Sequence, residues 1–375
     1  MYGNIKSHEP DYILMTAIFA LVIFGLIAVS SASVPISQEK FGEPYHYFRH
    51  QAIFGVFTGL IFWAIVQKIP YWIWKKFVFP ALILTFLLLI LVFIPGIGYG
   101  YGGAERWINL GIFSFQPAEL CKLTFILYLA AWLEKKNESV RSFSEGFVPF
   151  ITVIVFVSVL MILQPDIGTL GLIALVSLII YFVAGAKLRY IGFLIVMGLA
   201  ALLALIKIAP YRMNRLTVFL HPDVDPQGIG YQINQALLAI GSGGIFGRGL
   251  GYSRQKFLYL PEPIGDSIFA IIGEELGFIG VSVLIVLFLI LAIRGFKIAI
   301  YAPDVFGKLV AVGVTSWFVF QAFINIAANR GLIPLTGIPL PFISYGGSAL
   351  VVSLIAAGIL LNISKYTRLK KAHRR

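Results

Sequence analysis

Apolar runs of 18 residues and more recur from one end of this chain to the other, and no other feature narrows its fold so far. A run of that length crosses the hydrocarbon layer of a membrane as a helix. Lipid offers no partner to an open backbone N–H or C=O, so only helices and closed barrels can span it. A water-soluble chain of 375 residues would bury a core without such runs, and here 59% of the residues are hydrophobic. The expected fold class is an all-α polytopic membrane protein with about ten transmembrane helices. The spans read as 12–33, 50–67, 77–95, 117–133, 147–163, 168–185, 189–207, 266–293, 308–328 and 346–362.

The net charge of +12 would suit a nucleic-acid binder, but its distribution suits membrane topology. With the N-terminus inside, most Lys and Arg fall on the inner side: Lys68, Lys75 and Lys76; Lys135, Lys136 and Arg141; Lys187 and Arg189; Arg294 and Lys297; and the tail from Lys365. Both termini are therefore expected in the cytoplasm. Ser30-Ser31-Ala32 resembles a signal-peptidase site, but the first apolar stretch is longer than a signal peptide's and follows Glu9 and Asp11. The single cysteine, Cys121, excludes an intramolecular disulfide and reads as a small buried filler. The chain reads as one transmembrane domain, 1–375, with a basic cytoplasmic tail at 363–375. A domain-sized extracytoplasmic loop, 208–265, lies between the seventh and eighth spans. Within that loop Ile233, Ala236, Leu237 and Ile240 share one helical face, which is expected on or in the bilayer surface.

Carboxylates near or in the membrane are expensive, and an intramembrane acid is a functional-site hypothesis by default. Asp266 opens the eighth span. It reads as an N-cap, as a general base at the lipid–water boundary, or as both. Glu274 lies eight residues on, about 12 Å deeper, where it needs a partner: either a structural ion pair or a place at the substrate. Gly273 and Gly277 permit close helix packing beside it. In the fourth span Glu119 and Lys122 stand at i,i+3 and can pair, or Lys122 can be redirected to an anionic headgroup. Asp166 reads as a cap of the sixth span. Arg106, Arg212, Arg215, Arg248, Arg254 and Lys256 lie outside, as ordinary loop cations or as a cradle for a lipid diphosphate. The glycine-rich run from Ile240 to Gly251 has neither a P-loop's Lys-Ser/Thr nor a βαβ unit around it, so nucleotide binding is not expected. No cluster of histidines has metal-ligand spacing.

Six segments together resemble the SEDS family (shape, elongation, division and sporulation), the FtsW/RodA/SpoVE group. They are Arg106-Trp-Ile-Asn-Leu-Gly, Gln116-Pro-Ala-Glu-Leu-Cys-Lys122, Gln164-Pro-Asp-Ile-Gly-Thr169, Gly230-Tyr-Gln232 with Ala239-Ile-Gly-Ser-Gly-Gly, Leu260-Pro-Glu-Pro with Asp266 and Gly273-Glu-Glu-Leu-Gly, and Thr336-Gly-Ile-Pro-Leu-Pro-Phe-Ile-Ser344-Tyr-Gly-Gly-Ser. They run in family order over nearly the whole chain. Four positions depart from the pattern: Ile264-Gly265 replace His-Thr before the aspartate, Ala349 replaces a serine, and Arg330 stands where an apolar residue is usual.

The resemblance implies a peptidoglycan glycosyltransferase that polymerises lipid II at the outer face and releases undecaprenyl diphosphate. It would work beside a class B penicillin-binding protein. Asp266 falls on the family's catalytic aspartate; Arg106, Glu119 and Lys122 fall on its other charged positions. Arg212, Arg215, Gln232, Glu274 and Ser344 complete the expected substrate-binding set. No cofactor is required by the sequence, although a divalent cation could accompany the lipid diphosphate. A lipid II flippase and a non-catalytic scaffold for division or elongation are the competing readings.

Overall fold

The computed structural model describes residues 7–101, 104–109, 111, 114–221 and 225–368. The tail residues 369–375, part of the inner-side charge, lie outside them. The helices are α1 (Tyr12–Ala32), α2 (Val34–Phe41), α3 (His46–His50), α4 (Thr58–Lys68), α5 (Val78–Leu91), α6 (Pro117–Lys136), α7 (Val148–Leu163), α8 (Ile167–Val183), α9 (Leu188–Ile208), α10 (Pro210–Leu220), α11 (Tyr231–Ser242), α12 (Ile268–Ile300), α13 (Val305–Asn329) and α14 (Gly347–Ser364). A π-helical turn, Gln51–Phe57, joins α3 to α4. A small antiparallel sheet, β1 (Gly98–Tyr101), β2 (Ala104–Asn109) and β3 (Ser114–Phe115), lies between α5 and α6.

Among the described residues seven helical segments are long and apolar enough to cross a membrane. The other three expected spans coincide with two shorter apolar helices, α5 and α8, and with the charged α6. Several start signals read in the sequence are physical caps. Asp11 accepts from the Leu14 N–H at 3.0 Å, and Asp166 from that of Thr169 at 3.2 Å. Pro117 opens α6 at the position where its missing N–H costs nothing.

The core lies around α13 and α14, whose apolar windows are each 72% buried, against 6% for the peripheral α9. α13 packs against α12, α8 and α6, and α14 packs on α4. Large apolar side chains point outward from the peripheral helices, among them Phe79, Phe193 and Val196, as a lipid solvent requires.

Helix α1 runs against α12 with a polar fastening at each end. Asp11 pairs with Arg294 at one end, and Ser31 donates to Glu275 at 2.7 Å at the other. Twenty residues of α1 separate the two, about 30 Å of helix and one hydrocarbon thickness. Glu275 and its neighbour Glu274 therefore stand at the boundary of the apolar layer rather than within it.

Helix α12 is broken at Gly277, whose φ of 62° and ψ of −160° are non-helical. The freed backbone groups are taken up by the glycine-rich loop. Arg248 and Gly249 donate to the carbonyls of Glu274 and Glu275, each at 3.0 Å. Phe278 and Ile279 donate to Gly244 and Ile245 at 2.9 and 3.1 Å. A Cβ at Gly243, Gly247 or Gly277 would overlap the backbone of Gly273, Glu275 or Gly247 respectively. The glycine run thus serves backbone-to-backbone contact.

The 208–265 segment is largely structured, carrying α10 and α11. The buried face of α11 is Ile233, Ala236 and Ala239, packed on α12, while Leu237 is exposed. The helix lies where the spacing expects one, but its apolar face meets protein rather than the bilayer surface.

Candidate functional site

Asp266 sits in the turn just before α12. The helix begins at Ile268, with Ser267 at its N-cap. Its carboxylate does not cap α12, in contrast to Asp11 and Asp166 at α1 and α8; the N-cap reading is corrected, and the acid is left for other work. Burial pushes the Asp266 carboxyl up to about 6, and nearby Glu262 pushes the same way. Arg215, a backbone N–H and the side chain of Gln232 oppose them. Gln232 Nε2 reaches Asp266 Oδ1 at 3.5 Å and Ser267 Oγ at 3.2 Å.

The backbone beneath the carboxylate is held at three consecutive carbonyls. Tyr345 N–H donates to Ile264 O at 2.8 Å, Ser344 Oγ to Gly265 O at 2.7 Å, and the amides of Asn325 and Asn329 both to Asp266 O at 2.8 Å. Asn325 also donates to Ile338 O at 2.8 Å, tying the 330–346 connection to the same point. Where the family pattern has His-Thr, this chain holds Ile264-Gly265 by main-chain clamps. Ser344 supports this turn from beneath and does not point into an open cleft; it accepts from Leu340 N–H at 2.8 Å.

Asn325 and Asn329 belong to a row of amides on α13 that begins at Gln321, spaced i, i+4 and i+8. Sequence reasoning missed this row. Its signal was present, three amides at helical spacing in an otherwise apolar span. Glu262, four residues before Asp266, was also passed over.

Gln321 connects the row to the second charged cluster. Lys122 Nζ lies 2.8 Å from Glu119 and 2.9 Å from Gln321 Oε1, with its charge 4.8 Å over the ring of Trp317. Gln321 Nε2 donates to Pro339 O at 2.8 Å. Both charged side chains are only 3% exposed, so they form a closed pair inside the bundle.

Arg106 donates to the carbonyls of Gln164 (3.1 Å) and Pro165 (2.5 Å), fastening β2 to the α7–α8 turn. Arg212 donates to Leu205 O at 2.9 Å and Tyr211 Oη at 2.8 Å, back toward α9. Arg215 turns the other way and donates to Leu335 O at 3.1 Å.

Glu274, expected at the substrate, is occupied by the protein. Its carboxylate accepts from the Arg254 and Gln255 N–H groups at 2.9 and 3.2 Å and from Ser253 Oγ. Glu275 pairs with Lys256 at 2.9 Å. Both glutamates fasten the glycine-rich loop onto α12. That is the structural alternative, and it corrects the substrate-binding assignment of Glu274. Three protein donors fill most of its acceptor sites, and the side chain is buried away from any open cleft. Cys121 is a buried free thiol, in line with its reading as filler.

These elements describe a helical membrane protein whose half-buried acid is held on a clamped turn with one cationic neighbour, Arg215. The family model described as "Cell cycle protein", covering FtsW, RodA and SpoVE, matches residues 12–369, and the chain belongs to that family. It is 44% identical to "Stage V sporulation protein E" of Bacillus subtilis over 97% of this chain and 99% of the relative. It is 42% identical to "Probable peptidoglycan glycosyltransferase FtsW" of Geobacter sulfurreducens, covering 98% of each. Among solved structures, a chain of a peptidoglycan synthase complex that coordinates polymerization and crosslinking superposes with TM-score 0.78 at 27% identity, covering 96% of this chain and 98% of that one. The rod shape determining protein RodA of Thermus thermophilus superposes with TM-score 0.71 at 27% identity, with the same coverage.

Proposed function

We propose that this protein is a peptidoglycan glycosyltransferase that elongates glycan strands at the outer face of the bacterial cytoplasmic membrane, with ten spans and both termini inside. One observation carries the proposal. Asp266 is an acid raised to about 6, on a turn whose three successive carbonyls are clamped, in a family whose relatives include named peptidoglycan glycosyltransferases. An acid tuned toward neutrality is suited to take a proton at physiological pH.

In this reading Asp266 removes the proton from the 4-hydroxyl of the terminal N-acetylglucosamine of lipid II. That oxygen bonds to C1 of the donor strand's N-acetylmuramic acid. The bond from C1 to the undecaprenyl diphosphate breaks, and the diphosphate leaves with the electron pair. One displacement converts the α-linked donor into a β-1,4 product. Gln232, Asn325, Asn329 and Ser344 hold the base in place. Glu119, Lys122 and Arg106 frame the site through the bundle and the β2 contact. A divalent cation carried on the diphosphate oxygens would share the negative charge.

The expected partner is a class B penicillin-binding protein. The likeness to a chain from a complex that joins polymerization to crosslinking supports this. The test uses the purified protein with lipid II, with and without that partner, wild type beside Asp266→Asn. Glycan strands from wild type alone are expected. Strands from a well-folded Asp266→Asn protein would remove Asp266 from the chemistry. Strands from neither would make lipid II translocation the next assay.

A further inference from the structure

The turn that carries Asp266 rests on residues 344–346, and these are held in their turn from the second span. Ser344 Oγ and Tyr345 N–H grip Gly265 O and Ile264 O. Gln51, only 2% exposed, reaches across to them from the first position of the π-helical turn. Its Nε2 donates to Ser344 O at 3.3 Å, and its Oε1 accepts from Gly346 N–H at 3.0 Å. One side-chain amide thus brackets Tyr345 on both sides.

Tyr345 itself is held by the residues just before Gln51. Its hydroxyl hydrogen-bonds to His50 Nδ1 at 3.0 Å, and its ring meets that of Tyr47 edge-on at 5.0 Å. Two glycines permit this approach. A Cβ at Gly59 would overlap Leu354 of α14, and one at Gly55 would stand 3.1 Å from Leu350. The π-helical turn and α4 therefore lie directly on α14, and Gln51, at the end of that seam, meets the segment that leads into α14. Turns of this kind are frequent at functional sites, where the wider coil re-aims side chains.

Asp266 therefore has two supports. The α13 amides hold its own carbonyl directly. The two carbonyls before it are held by 344–346, and that segment by Gln51. Loss of the Gln51 amide would strip Ser344 O and Gly346 N–H of this partner together. Buried main-chain groups left so are costly, and the segment would shift to satisfy them.

We propose that Gln51 is a positioning residue for the transfer reaction, setting the place of the Asp266 carboxylate through residues 344–346. The assignment rests on the glycosyltransferase reading above and makes the start of the second span part of the support of the base.

The test compares Gln51→Leu with Asn362→Leu in the full chain. Asn362, 1% exposed, is a matched amide at the other end of α14, donating to Gln67 O at 2.8 Å and accepting from Tyr71 N–H at 2.9 Å. Each change removes one bridging amide, so both should lower the unfolding temperature. They should differ in the reaction. In strand synthesis from lipid II, Gln51→Leu should lower kcat by about ten- to a hundredfold, with KM changed less than about threefold. It should also move the acidic limb of the rate profile downward from about 6, as the loosened acid gains solvent. Asn362→Leu should keep both kcat and the limb. Gln51→Glu, which retains an acceptor for Gly346 N–H, should keep more activity than Gln51→Leu. Amide exchange reads the support without the reaction: residues 262–267 should exchange faster in Gln51→Leu and at the wild-type rate in Asn362→Leu. If Gln51→Leu does not fold, Tyr345→Phe, which removes the hydroxyl's bond to His50, should show the same changes in smaller degree, and an unaltered Tyr345→Phe would then overturn the proposal.

Equal losses of kcat in Gln51→Leu and Asn362→Leu, with the limb unmoved, would reduce Gln51 to a packing residue and overturn its positioning role. If wild type makes strands and a folded Gln51→Leu matches it in rate, limb and exchange, the positioning role fails and the polymerase reading stands. If exchange at 262–267 quickens in Gln51→Leu alone and wild type makes no strands, the support of the turn stands and the polymerase reading fails.

Discussion

The elevation of the Asp266 carboxyl to about 6 has two removable contributions of opposite sign, and together they test whether this acid is the base. Ionised Asp266 is the competent form, so kcat/KM should rise as pH passes upward through about 6. Glu262 is a like charge that disfavours ionisation. Glu262→Gln should therefore move the acidic limb down. Burial is the larger cause and persists, so the new limb should fall roughly between 5 and 6. Gln232 stabilises the ionised form, so Gln232→Leu should move the limb up. The assay is the initial rate of strand synthesis at limiting lipid II, from pH 4.5 to 8.

Stability should respond in the opposite direction to activity. A carboxyl whose folded pKa lies above its unfolded value of 3.8 contributes stability that is complete below pH 3.8 and is lost as pH rises through about 6. At pH 7 the ionised acid costs at most about 3 kcal/mol, from about two pH units at 1.36 kcal/mol each. Asp266→Asn should thus unfold at a higher temperature than wild type at pH 7 and show no such gain at pH 4. An acidic limb that stays fixed in Glu262→Gln, or an Asp266→Asn protein no more stable than wild type at pH 7, would refute the reasoning.

Three further outcomes follow from the packing. Asn325→Leu orphans Ile338 O and removes one of the two donors to Asp266 O, whereas Asn329→Leu removes the other donor to Asp266 O and a bond to Asn325 O, a carbonyl within α13. Asn325→Leu should therefore cost about 1–3 kcal/mol in thermal or denaturant unfolding and more activity than Asn329→Leu. Lys256→Met leaves Glu275 buried with Ser31 and the Ser253 N–H, and should cost about 3–5 kcal/mol. The Lys256→Met, Glu275→Gln double variant should cost less than the sum of the singles in a thermodynamic cycle. Gly277→Ala forces a Cβ onto the Gly247 backbone at a positive φ, and should loosen the 243–260 loop, read as faster amide exchange at Phe278 and Ile279.

Much of the membrane architecture was legible because lipid imposes one rule on every residue. A backbone that cannot bond to solvent must coil, and apolar length then marks each span. Each of the ten expected segments falls on helical structure, and caps at Asp11 and Asp166 are local effects of single side chains. The sequence by itself also brought Asp266 forward, through the cost of a carboxylate at the membrane edge. It was less able to assign the other charges, because an ionic side chain is directed by whichever partner the fold brings within about 3 Å. Only the tertiary structure turned Glu274 onto the Arg254 and Gln255 amides, Arg212 toward α9 and Arg215 toward Leu335. It alone broke α12 at Gly277 and brought two amides of α13 to the Asp266 carbonyl. Contacts between residues tens to hundreds of positions apart leave no period in the chain. Spans follow from local composition, but the orientation and tuning of the site follow from packing.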